Sequence, residues 1–324
     1  MRLLVTGITG KVGTNFLPAF LASPKFEGWQ IRAICNERTI DHPQVEVVKC
    51  SLSDGRAIRD AMAGTTHVLH MAAVKESPDL AMDVGVKGMF NLLEAFRHTP
   101  GAQQFILIGG DCSVGHMFHK YDAPITELSP RRAYPGCYAL TKVIEEVMLE
   151  QYREQYALPG CCIRAPWIME KDDFKYALSF KDQFGGPRWD DLLAQHEVDR
   201  YAKADAVPLL LDSTGSPLKR NFIHVSDLVS AILAALGNAE ANGHLFNVAM
   251  DRPVDYGEVA TILQNRQRVS IAKINTPFHS NWMDNTKAKA VLDWQPRVAL
   301  QQLIESAWTY VRAPNEPRVV RYPG

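Results

Sequence analysis

The 324-residue chain reads as an α/β protein: a doubly wound parallel sheet with a smaller C-terminal substrate-binding region. Three observations predict this. Short apolar runs alternate with helical periodicity through the first half, the pattern of parallel strands joined by helical crossovers. The first run, Arg2–Thr6, ends in a turn with Gly7, Gly10 and Gly13 that opens a helix with Phe16, Leu17 and Phe20 at helical spacing. Further on, Tyr138 and Lys142 stand four residues apart, so a phenol and an ammonium leave one face of a helix a turn from each other.

Taken in order, the glycine turn lets backbone N–H groups approach a pyrophosphate, which the helix N-terminus then stabilises. Its G-x-x-G-x-x-G spacing differs from the usual G-x-G-x-x-G. Gln30–Cys35 is the second strand. Asn36, Glu37 and Arg38 follow it: Asn36 suits a ribose hydroxyl and Arg38 a 2′-phosphate, so NAD and NADP both stay open. Val45–Lys49 is the third strand, followed by Ser51-Leu52-Ser53-Asp54 as a polar loop and helix cap, and a helix over 58–62. Residues 66–73 make a fourth strand ending in small residues that let a cofactor lie close. A helix over 90–96 leads to a fifth strand, 104–108, which opens into the loop 109–115. The helix from Tyr138 places Leu140, Val143, Ile144 and Val147 at a spacing that predicts a buried stripe. An ammonium at Lys142 favours the phenolate of Tyr138, as a base working near neutral pH requires. A sixth strand follows at 161–163.

Composition excludes several classes. Lys and Arg total 35 against 36 Asp and Glu, so no net charge steers the chain to nucleic acid or an anionic membrane. No apolar run approaches the ~20 residues of a membrane span, and no signal peptide is expected. The six cysteines lack metal-site spacing and read as reduced thiols of a cytoplasmic protein; no metal is expected.

The chain resembles the extended short-chain dehydrogenase/reductase superfamily, specifically the NAD-dependent epimerase/dehydratase family. The resemblance is carried by the Gly7/Gly10/Gly13 turn, His70-Met71-Ala72-Ala73, Asn91-Leu92-Leu93-Glu94-Ala95, the Tyr138/Lys142 pair, Asn221 through Leu228, and the 284–296 ending. It implies that Tyr138 takes a proton from a substrate hydroxyl and that Lys142 holds the nicotinamide ribose. Gly7, Gly10, Lys11, Val12 and Gly13 would line the pyrophosphate, and Ser51 and Leu52 the adenine. Met71, Ala72, Ala73 and Lys75 would run along the ribose, with Ala165, Pro166 and Trp167 bordering the nicotinamide. Two departures stand out. Gly85 replaces a usual Asn, and Gly110 replaces a usual Ser or Thr hydroxyl, which makes Ser113, and after it Asp111, the expected substitute. Cys112 stands where a dehydratase would carry Glu.

The domain expectation is 1–168 for the dinucleotide, with 221–249 returning to it; 169–220 and 250–324 form the substrate region. That region includes a turn signal at Gly185-Gly186-Pro187. Trp167 and Trp189 read as packing, and Arg164, His196 and Arg220 as ordinary ion pairs or surface groups. Lys75, Glu76 and Ser77 read as a loop that meets substrate. Asp255 caps a helix, and the tail 313–317 is expected to run extended over the surface. The expected activity is NAD(P)-dependent dehydrogenation of a secondary alcohol on a sugar or sugar acid, in a homodimer. The alternatives are a sugar or nucleotide-sugar epimerase and a non-catalytic cofactor-sensing protein.

Overall fold

Seven strands, all parallel, form the central sheet: β1 (Arg2–Thr6), β2 (Gln30–Cys35), β3 (Val45–Lys49), β4 (His67–His70), β5 (Gln104–Gly110), β6 (Gly160–Ala165) and β7 (Leu245–Asn247). Their order is β7-β6-β5-β4-β1-β2-β3. The computed structural model describes residues 1–181 and 188–316; Phe184, the Gly185-Gly186-Pro187 turn and Pro317 lie outside them. The chain begins in the middle, winds outward through β2 and β3, then crosses to the other side of β1 at β4. That reversal opens a crevice beyond the carboxyl ends of β1 and β4, where ligands of such sheets bind. Helices cover both faces, so the strands are near-continuous apolar runs: Leu3, Leu4 and Val5 have no exposed surface.

The helices that matter for the site are α1 (Lys11–Leu21), α2 (Gly55–Ala61), α3 (Gly88–Arg97), α4 (Cys137–Tyr156) and α5 (Val225–Ala235). Asp54 caps α2, accepting from the N–H groups of Arg56 and Ala57, and Asp255 caps the helix Tyr256–Gln267. Between residues 169 and 307 a second apolar core joins Met169, Phe174, Leu210, Phe222, Leu263 and Ile304. Two-stranded pairs fasten it: Phe222–His224 beside Trp167–Met169, and Val207–Leu211 beside Ile271–Asn275.

Two expectations are corrected. The apolar stripe of α4 faces outward: Leu140 is 50% exposed, Val147 38%, and Val143 and Ile144 are only partly covered. The buried face carries Ala139, Lys142, Glu145, Glu146 and Leu149 instead, because it lies against the ends of β5 and β6, where ionic partners wait. The tail does not run extended. Glu316 turns back on Ala313, and its carboxylate takes Lys171 Nζ at 2.5 Å and the Tyr310 hydroxyl at 2.6 Å.

Candidate active site

One cavity of about 1020 Å³ runs along the carboxyl ends of the strands, from the β2 end to the segments of the second core. At its centre the β1–α1 turn passes very close to the chain leaving β4. Gly7 has φ +75°, and a Cβ there would lie 2.7 Å from the Ala72 nitrogen, so only glycine fits. Thr6 Oγ1 accepts from the Ala72 N–H and lies 2.6 Å from His70 Nδ1, locking the two strand ends together. Burial pushes His70 down to about 3, so its ring is neutral. The N-cap of α1 is Gly10, with no side chain satisfying the first N–H groups and no acid in the first turn. Those donors fit an anion such as a pyrophosphate. Gly7, Gly10, Lys11, Val12, Met71, Ala72 and Ala73 line this part, and Ser51, Leu52, Asn36 and Arg38 line its adenosine end. Gly13 does not reach the cavity; a Cβ there would strike the Ile8 carbonyl at 2.3 Å, so this glycine serves the packing of turn on helix. The residues present therefore fit a dinucleotide.

Tyr138 and Lys142 enter the cavity from the first turns of α4. Glu76 caps that helix: its carboxylate accepts from the Cys137 N–H at 2.9 Å, and a Cβ at Gly136 would sit 2.8 Å from it. Glu76 is thus spent on holding α4 rather than on substrate, and Ser77 does not line the cavity. Lys75 does, with its ammonium 3.4 Å from the centre of the Tyr138 ring. Burial pushes that ammonium down to about 7. The Lys142 ammonium is buried and donates to the Ile108 carbonyl at 3.1 Å and to Glu145 Oε2 at 2.7 Å. Burial opposes its charge, but Glu145 outweighs that and raises its pKa.

The loop after β5 closes as one helical turn, Asp111–Val114, and this redistributes the expected roles. Ser113 is fully buried beneath the turn, donating to the Gly110 carbonyl at 2.9 Å and lying 2.7 Å from Glu146 Oε1. It does not reach the cavity. Glu146 belongs to a buried network with both Arg164 and Arg131, and Arg164 also reaches Asn247 of β7. This network pins α4 to β6 and β7. Asp111 does line the cavity, 2.7 Å from His116 Nδ1. Cys112 takes the place beside Gly110: a Cβ on Gly110 would lie 2.9 Å from Cys112 Sγ and 3.7 Å from the Tyr138 hydroxyl. Burial pushes the thiol up to about 12, so it is protonated.

The far wall comes from the second core. Lys11 Nζ pairs with Asp173 at 2.6 Å and bonds the Ile168 carbonyl, tying the glycine turn to that wall. Arg220 is not a surface group: it is buried, lies 3.9 Å over the Trp167 ring and lines the cavity, and its Nε makes no hydrogen bond. Ala165, Pro166 and Trp167 lie where expected, on the same wall. Sequence reasoning missed the cavity positions of Arg220 and His116, since only the fold brings their segments to the crevice, whereas Cys112 lies near the site as its proximity in sequence suggests. For Cys112 the signal was present in its adjacency to Gly110.

Among the described residues no helix is long and apolar enough to cross a membrane. Residues 3–249 match the model of the NAD dependent epimerase/dehydratase family. A UDP-glucose 4-epimerase of Mycolicibacterium smegmatis is 26% identical across 96% of this chain and 99% of its own length. UDP-glucuronate 4-epimerase 4 of Arabidopsis thaliana is 23% identical across 84% of this chain, which spans 65% of that longer enzyme. The structure of a short-chain dehydrogenase/reductase superfamily protein from Agrobacterium tumefaciens with bound NAD superposes with a TM-score of 0.79, at 23% identity, covering 95% of this chain and 96% of that one. The chain therefore belongs to the NAD dependent epimerase/dehydratase family of enzymes.

Proposed function

We propose that this enzyme is an NAD-dependent epimerase that inverts a secondary carbinol of a nucleotide sugar. The expectation of a plain sugar dehydrogenase gives way to this alternative, because relatives matched along the chain are named UDP-sugar 4-epimerases. The observation that carries the reading is the cavity itself. Tyr138 lines it, and so does Arg220, a buried cation with an unused Nε donor. A buried guanidinium favours an anionic partner, and a sugar diphosphate would supply one. The same features disfavour a cofactor-sensing protein, which needs neither Tyr138 nor a buried cation in the cavity.

Gly7, Gly10 and Lys142 would hold the dinucleotide, which would supply a reversible hydride acceptor at its nicotinamide. Tyr138 accepts the hydroxyl proton on oxidation and returns it on reduction. The reacting oxygen lies between Tyr138 and the thiol of Cys112, which stands in for the hydroxyl missing at Gly110; a thiol donates weakly, so orientation rests mainly on the phenol. The dinucleotide is NAD. The outward stripe of α4, with Leu140 and Val147 exposed, and Phe90 of α3, which is 49% exposed and meets Tyr152 of α4 edge-on, offer apolar surface. A second copy covers it in a homodimer. The location is cytoplasmic, in keeping with six unpaired thiols.

The test is a product assay: UDP-glucose and UDP-glucuronate are each incubated with enzyme and NAD, and the sugar is read by proton NMR. The 4-epimer should form with the parent and fall by about 10²–10⁴-fold with Tyr138→Phe. Stoichiometric oxidised sugar in place of the epimer would return the dehydrogenase reading.

A further inference from the structure

His116 Nε2 and Arg220 Nε are buried nitrogens of cavity-lining side chains, and neither has a hydrogen-bond partner among the described residues. Buried polar atoms without partners are uncommon, and beside a cavity they mark where a ligand supplies the missing bond. Arg220 suits an anion. His116 suits something else.

The fold holds His116 in place at a cost. Its backbone lies in the left-handed region at φ +49°, which a residue with a Cβ adopts mainly when its surroundings impose it. Asn281, from the second core, donates to its carbonyl at 2.6 Å, and Asn221 donates in turn to Asn281. The side chain is 7% exposed, and Asp111 Oδ2 lies 2.7 Å from Nδ1. A carboxylate and a ring lone pair cannot approach so closely without a proton between them, so Nδ1 carries it. The charged groups that act on the ring are Asp111 from its own loop and Arg220 from the second core. Burial and Arg220 oppose an imidazolium, Asp111 favours it, and burial prevails. The ring is therefore neutral, and Nε2 keeps its lone pair.

Toward the cavity this pair has only acceptors to offer, Nε2 and the Asp111 carboxylate. A sugar hydroxyl or hydroxymethyl group can donate to either one. A sugar carboxylate has no proton to donate, and it would set a second negative charge beside Asp111. We propose that Asp111 and His116 form a specificity pair that accepts hydrogen bonds from a hydroxyl-bearing hexosyl group and rejects a hexuronyl group. Asp111 fixes the tautomer, and His116 Nε2 takes the substrate's donor. The proposal rests on the nucleotide-sugar reading, which assigns Arg220 to the diphosphate.

The experiment titrates the NAD-loaded enzyme with UDP-glucose and with UDP-glucuronate by calorimetry, then follows the turnover of each. The parent should bind UDP-glucose about 10²-fold more tightly, the scale of one like-charge juxtaposition. Asp111→Asn keeps an oxygen for Nδ1 but removes the charge, and should narrow that ratio about tenfold or more. His116→Asn, whose side chain also tolerates a left-handed backbone, should weaken UDP-glucose by about 2–10-fold, through KM rather than kcat. A merely structural His116 would lower the folded fraction and leave the ratio alone. Equal or tighter binding of UDP-glucuronate by the parent, or a ratio unmoved in Asp111→Asn, overturns the proposal, while 4-epimer formation still upholds the epimerase reading. A preference for UDP-glucose that Asp111→Asn narrows, with no 4-epimer formed, upholds the pair and overturns the epimerase reading alone. Binding of neither sugar overturns both. Asp111→Asn decides the matter should His116→Asn not fold.

Discussion

Ser113 and Cys112 exchange the roles that their order in the chain suggests. Counting from Gly110, the hydroxyl looks like the group to hold a substrate oxygen. The loop instead winds through one helical turn, which carries Ser113 under it and brings the Cys112 sulfur beside Gly110. Ser113 is a structural residue whose buried hydroxyl lies within hydrogen-bond reach of the Gly110 carbonyl and the Glu146 carboxylate. Ser113→Ala should therefore cost about 1.5–3 kcal/mol in a denaturation curve while turnover changes little; this is the loss of a buried hydrogen bond to a charged group. A collapse of turnover in a fully stable Ser113→Ala enzyme would put the hydroxyl back in the cavity. Arg38 stands exposed at the adenosine end. Arg38→Ala should weaken NADP by the ~1.5–3 kcal/mol of a charge-assisted contact and leave NAD nearly untouched, as paired binding titrations will read.

At the scale of elements, α4 organises the site and shows what a sequence can and cannot disclose. The Tyr138/Lys142 spacing and the Gly7/Gly10/Gly13 turn are local signals. Helical period and backbone approach are set within a few residues, so both were legible, as were the caps at Asp54 and Asp255. Which face of α4 turns inward was not. Periodicity assigns apolar residues to the core, but the inner face meets Arg164 and the Ile108 carbonyl, and so it is built from Lys142, Glu145 and Glu146. Arg220 and His116 were illegible for a different reason: their burial depends on segments more than 100 residues apart folding to one crevice. The outward apolar stripe carries its own test. Val147→Glu, at a position 38% exposed in one copy, should convert a dimer to monomers in light scattering without unfolding the chain. An unchanged mass for that variant, beside a dimeric parent, would place the interface elsewhere.

Across the whole molecule, the sheet supplies a fixed floor and the second core a far wall, joined over the crevice by Lys11–Asp173 and by Arg220 on Trp167. A pure dehydrogenase can release its ketone after one transfer. An epimerase must keep the ketone, let it turn, and receive the hydrogen on the opposite face, which calls for an enclosed chamber anchored at its far end. On the proposed reading, floor, wall and Arg220 would together hold the ketone for the return of its hydrogen. The central claim, that the hydrogen leaves the sugar and returns to the same carbon, is open to one direct measurement. UDP-glucose carrying deuterium at C4 is converted by the enzyme in ordinary water with NAD, and the 4-epimer is read by mass spectrometry and NMR. The label should be retained at C4 of the product. A product whose C4 deuterium has been lost to solvent, or label recovered in an accumulating pool of reduced dinucleotide, would contradict the account.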